Sequence, residues 1–186
     1  MREFNTSGQN IPEEHYTLMR PALVEKGVEL VKSKRYFTIW APRQTGKSTY
    51  FLLLADALEE QGYKVVNINF ESYMNAPMSS FLERLVWNVN KAWETDFEET
   101  SISNIFNEIE KITEEKFVLI IDEVEGINKE YFNDFLHAIR GAYHKRTSHA
   151  LKSVILVGVS NITGIIQDNA SPFNIANNLD IPFFYK

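Results

Sequence analysis

The chain has no cysteine, which excludes disulfides, thiolate metal sites and cysteine nucleophiles. It also lacks any apolar run near the ~18 residues that a membrane-spanning helix needs. Nothing near its beginning resembles the apolar segment of a signal peptide, because Arg2, Glu3, Glu13, Glu14 and Arg20 are scattered there among polar residues. These absences make the cytoplasm the expected location, with no membrane association. Surplus positive charge is missing too: 19 Lys and Arg face 25 Asp and Glu, a formal net charge of −6. That balance speaks against a surface built throughout to coat nucleic acid, yet leaves room for a local basic patch. No internal repeat and no low-complexity segment is present.

What the chain does have is apolar material, 44% of its 186 residues. A single core of this length buries roughly 70% of the unfolded surface, so one domain spanning 1–186 is expected. Residues 1–25 read as an irregular lead-in, punctuated by Ser7-Gly8, Pro12 and Pro21, and 26–186 as the core. Val24, Val28 and Val31 suit a short helix. Tyr36 to Trp40 is an aromatic, β-branched run of strand length. Lys47 to Glu60 carries a helical stripe of Phe51, Leu52, Leu54, Ala55 and Leu58, stopped by Gly62. Val65 to Phe70 alternates as a strand, and the next helix buries Phe81, Leu82, Leu85, Val86, Val89 and Trp93. The acidic stretch from Glu94 to Lys116 reads as a solvated helix face, capped at Thr100 and Ser101. Phe117 to Ile121 is continuously apolar, as a parallel strand buried on both faces would be. Tyr131 to Tyr143 is helical, Ser153 to Val159 is a fourth strand and Asp180 to Tyr185 a short fifth. Strands separated by helices predict an α/β three-layer sandwich with a mainly parallel sheet.

The segment Ala41-Pro42-Arg43-Gln44-Thr45-Gly46-Lys47-Ser48 leaves the first strand and opens the next helix. A polyphosphate needs several backbone N–H donors turned inward, and a tight loop closing on a helix N-terminus supplies them. Gly46 allows close approach, Lys47 places a cation on the β and γ phosphates, and Ser48, followed by Thr49, offers a hydroxyl to Mg²⁺. Ala41 stands where a glycine is usual, which is tolerable if its φ stays negative. The placement predicts ATP with Mg²⁺ as the ligand.

The strand ending Ile121-Asp122-Glu123 puts carboxylates at the sheet edge where open α/β sheets bind ligands. Asp122 is the expected metal-side acid and Glu123 the base that deprotonates the attacking water; Glu125 is a rival for the base, set further from the strand end. If the fourth strand lies between the first and third, Ser160 or Asn161 at its tip would sit near the γ phosphate, or else cap the helix that follows. His137, Arg140, His144, Lys145, Arg146, His149 and Lys152 form the basic concentration. It reads as a solvated face, an arginine finger toward a neighbouring subunit, or a nucleic-acid contact.

With these residues in view, the chain resembles AAA-like bacterial P-loop ATPases of the additional-strand, catalytic-glutamate group, close to the signal-transduction type. Supporting segments are Phe4-Asn5-Thr6-Ser7-Gly8, Ile11-Pro12-Glu13-Glu14-His15-Tyr16 and Ser171-Pro172-Phe173-Asn174-Ile175. The resemblance implies a sheet of order 5-1-4-3-2, acceptance of Ala41, and packing of Asn10 to Tyr16 near the adenine. Such proteins continue into a helical lid, which this sequence, stopping at Lys186, is expected to lack. Three functions stay open: an ATPase that acts as a slow conformational switch, alone or in a homo-oligomer or with a protein partner; a nucleotide-binding scaffold with little hydrolysis; and a P-loop small-molecule kinase, for which no arginine-rich lid insertion is visible.

Overall fold

The computed structural model describes residues 3, 14–40, 42, 45–98, 100–159 and 177–181. In chain order the elements are α1 (Pro21–Lys32), β1 (Phe37–Trp40), α2 (Lys47–Glu59), β2 (Lys64–Asn69), α3 (Met78–Trp93) and α4 (Ile102–Lys111). They continue with β3 (Phe117–Asp122), a 3-10 turn (Val124–Gly126), α5 (Lys129–His144), β4 (Leu151–Gly158) and β5 (Asn177–Asp180). The five strands form one sheet in the order β2-β3-β4-β1-β5, which is the expected order read from the other edge. Every pairing is parallel, so all strands end at one rim.

The alternation of a pleated strand decides which helices each residue meets. On β3, Phe117, Leu119 and Ile121 join one apolar layer with α3, α4 and α5. Val118 and Ile120 face the other way, with Ile39, Val157 and the apolar sides of α1 and α2. Both sides of β3 are thus covered, and all six of its residues are buried. Burying each such Ile or Leu contributes about 1.5–3 kcal/mol, which is why the apolar run forms the centre of the sandwich.

Several boundaries differ from the expected ones by a residue or more. The lead-in ends earlier, because α1 starts at Pro21 rather than near Val24. A proline fits the first position of a helix, where its missing N–H has no intrahelical partner in any case. Strand β4 starts two residues sooner, since Leu151 already pairs with Phe117. The fifth strand was expected over Asp180–Tyr185 and is instead Asn177–Asp180, aligned with Phe37–Trp40. Two asparagines carry little strand preference of their own; pairing with β1 and burial of Leu179 and Ile181 override it.

The turn after β3 is wedged under the end of β2. A Cβ on Gly126 would lie 2.3 Å from the Phe70 carbonyl oxygen and 2.9 Å from the Glu71 Cα. Backbone cannot swing aside as a flexible side chain can. Gly126→Ala is expected to lower stability by about 1–3 kcal/mol, read as a lower urea midpoint at unchanged slope.

Candidate functional site

Between β1 and α2, at the carboxyl rim, the described residues are 42, 45 and 46. Gly46 has φ 81° and ψ 25°, left-handed backbone that glycine adopts without steric cost. As the N-cap residue, Gly46 has no side chain with which to cap the first amides of α2. Thr45 is buried, and its hydroxyl donates to the Pro42 carbonyl at 2.9 Å. From outside the loop, Arg20 Nη2 donates to the Thr45 carbonyl at 3.1 Å. Lys47 is only 8% exposed, an uncommon setting for an ammonium unless it has a partner. Its partner is Glu123, with Nζ 3.2 Å from Oε1. Ser48 is exposed and Thr49 half-buried on the same first turn.

The acids come from the end of β3. Asp122 is buried; its Oδ1 accepts the Glu123 amide at 2.9 Å and its Oδ2 the Asn69 amide group at 3.3 Å. Asn69 is itself oriented by accepting the Glu71 N–H at 2.8 Å. Burial pushes the Asp122 carboxyl above its usual range, while the Lys47 charge and the Glu123 amide pull it back. Glu123 has φ 52°, a left-handed conformation that few non-glycine residues occupy. This turn breaks the alternation of β3 and sets the carboxylate against Lys47.

Lys47, Asp122 and Glu123 therefore converge at the rim, with Pro42, Thr45, Gly46, Ser48 and Thr49 in the adjoining loop and first turn. Ala41, Arg43, Gln44, Ser160 and Asn161 lie outside the described residues, as do Phe4–Gly8 and Ser171–Ile175. Glu125 is not simply further out, as its spacing suggested. The 3-10 turn swings it to the tip of β4, where Oε1 accepts the Val159 N–H at 2.9 Å. Its Oε2 is buried without a hydrogen-bond partner among the described residues.

Arg20 and Asn69 were not singled out in the sequence. A polar residue closing β2 was a visible signal for Asn69; nothing local marks Arg20. The basic concentration lies at the opposite rim, around the start of β4. There Arg146 stacks 3.9 Å from the Tyr143 ring centroid and donates to the Tyr143 carbonyl. Lys145 pairs with Glu110 at 2.7 Å, and His149 bonds the Ala142 carbonyl through Nε2.

Among the described residues, no three His, Cys, Asp or Glu side chains gather into a self-sufficient metal cage. A buried carboxylate at the same rim as a first-turn hydroxyl suits Mg²⁺, which takes few protein ligands and fills its shell from phosphate and water. Among the same residues, no helix is long and apolar enough to cross a membrane.

Residues 11–186 match the family model described as "AAA-like domain". No curated protein matches the chain by sequence. Among solved structures, the Aeropyrum pernix ORC1 protein in complex with DNA superposes with a TM-score of 0.59 at 15% identity, covering 91% of this chain and 47% of that one. Cdc6p from Pyrobaculum aerophilum gives 0.61 at 12% identity, covering 89% and 46%. AMPPCP-bound DnaA from Aquifex aeolicus gives 0.53 at 15% identity, covering 91% and 49%. The chain thus spans about half the length of these three proteins.

Proposed function

The chain belongs to the AAA-like domain family, and on that footing we propose that it binds ATP with Mg²⁺, hydrolyses it slowly and uses the bound state as a conformational switch. The observation that carries this reading is a buried ammonium, Lys47, at the start of a helix opened by left-handed Gly46 and facing the carboxylates at the end of β3.

In this reading the loop from Ala41 to Gly46 and the first amides of α2 cradle the phosphates, and Lys47 neutralises the β and γ groups. Ser48 and Asp122 would hold Mg²⁺, whose contribution is to offset phosphate charge. Glu123 takes the proton as water oxygen bonds to the γ phosphorus. The bond from that phosphorus to the bridging oxygen breaks, and ADP and phosphate leave. Asn161, just beyond β4, is assigned to the attacking water or the γ phosphate. The AMPPCP-bound state of the Aquifex protein supports a triphosphate-shaped ligand for this fold. Since the Aeropyrum protein of the same fold is in complex with DNA, a net acidic charge alone does not remove nucleic acid from the possible partners.

The alternative is a scaffold that binds nucleotide and scarcely turns it over. It draws on the Lys47–Glu123 contact, because the carboxylate must leave the ammonium before it can turn to a water molecule. Thermal melting tests the common part of both readings. At a hundred times Kd, MgATP should stabilise the fold by about 2.7 kcal/mol, and AMP far less because one phosphate cannot span the loop. No shift with millimolar MgATP would remove nucleotide binding from consideration. Phosphate released into solution separates the switch from the scaffold.

A further inference from the structure

The side chain of Arg20 joins two places far apart in sequence. Its backbone, at φ 45° and ψ 52°, ends the lead-in, and its carbonyl accepts the Leu23 and Val24 amides in the first turn of α1. Its guanidinium reaches the Thr45 carbonyl, one residue before left-handed Gly46. Both ends of this strut stand on a fixed frame. Helix α1 is seated on α2, where the Tyr50 hydroxyl donates to the Leu23 carbonyl at 3.3 Å. Gly27 lies so close that a Cβ would come 2.4 Å from that same hydroxyl.

A trans peptide unit is planar, with its C=O and N–H pointing in opposite directions, and the described chain has no cis bond. Capturing the Thr45 carbonyl therefore aims the Gly46 N–H away from Arg20. The Thr45 hydroxyl fastens a second carbonyl of the loop, that of Pro42. We propose that Arg20 is a positioning residue of the nucleotide site: by gripping the Thr45 carbonyl from outside, it turns the Gly46 N–H toward the phosphates before any ligand arrives. The role deepens the nucleotide-binding reading and rests on it. Donors already oriented need no reordering when the anion enters, and this lowers the cost of binding. An arginine suits the task because its planar fork is always charged, and a charge-assisted hydrogen bond is stronger than a neutral one.

The test compares the parent chain with Arg20→Ala and Arg20→Lys. Two quantities are read: MgATP affinity by calorimetry, and amide hydrogen exchange of Gly46 to Thr49 without nucleotide. In Arg20→Ala the Kd should rise about tenfold, and exchange in that stretch should quicken by a similar factor. Val28 and Val31 in α1 should keep their protection, and the melting temperature should stay close to the parent's. Lysine should recover part of both losses, and it carries the test alone if the alanine variant does not fold. Unchanged affinity with unchanged loop exchange overturns the proposal. So does a parallel loss of α1 protection and thermal stability, since that describes a strut serving the fold alone. If the parent itself fails to bind MgATP, the functional reading falls, while the exchange data still decide whether Arg20 fastens the loop.

Discussion

Replacing Lys47 with alanine should raise the Kd for MgATP by at least about a hundredfold, or roughly 2.7 kcal/mol. The side chain is a cation that the structure brings against the Glu123 carboxylate, and a charge-assisted hydrogen bond to phosphate contributes about 1.5–3 kcal/mol. The loss is compounded by what stays behind. Asp122 and Glu123 would face an incoming polyphosphate without the charge that now offsets them. Calorimetric titration measures the effect, and an affinity within a few-fold of the parent would remove Lys47 from the cradle.

The same substitution has a consequence without nucleotide. Burial already lifts the Asp122 carboxyl above its usual range, and the Lys47 charge is the largest influence holding it down. An acid whose folded-state pKa is raised binds its proton more tightly folded than unfolded. Its contribution to stability is fully present at low pH and is lost as pH rises through that folded value. Removing Lys47 raises the value further. The melting temperature of Lys47→Ala should therefore fall more steeply than the parent's as pH climbs above the ordinary carboxylate range. Parallel curves would show that the two groups do not interact.

Glu123→Gln should separate binding from chemistry. Removing a general base typically costs 10²–10⁴-fold in rate, so phosphate release should fall by about a hundredfold or more. Affinity for MgATP should hold or improve. The Glu123 carboxylate pairs with the Lys47 ammonium, which in the proposed reading must also meet the phosphates, and a neutral amide competes for it less well. Single-turnover phosphate release, measured beside calorimetry, gives both numbers. A glutamine variant as active as the parent would move the proton acceptor elsewhere. Glu125, already at the tip of β4, would then be the next residue to replace.

How far the sequence reaches can be judged from particular residues. The helices α2, α3, α4 and α5 were legible because each buries one stripe, as Phe81, Leu85 and Val89 do on α3. Strand β3 was legible as an unbroken apolar run. The site was partly legible: Gly46-Lys47-Ser48 and Asp122-Glu123 are short motifs whose chemistry depends on neighbours along the chain. Asn69, Arg20 and the true direction of Glu125 were not. Each gains its place from a partner distant in sequence: Asp122 for Asn69, Thr45 for Arg20 and Val159 for Glu125.

Residue order alone determined the layered α/β class, the loop that opens α2 and the acids that close β3, because periodicity, propensity and turn chemistry act over a few neighbouring residues. The tertiary fold decided that β5 would be drawn from Asn177–Asp180, that Lys47 would pair with Glu123 across 76 positions, and that Arg20 would reach the Thr45 carbonyl. Those outcomes depend on sheet order and on burial. A buried ammonium or carboxylate must find a partner wherever the packing of the whole chain happens to place one.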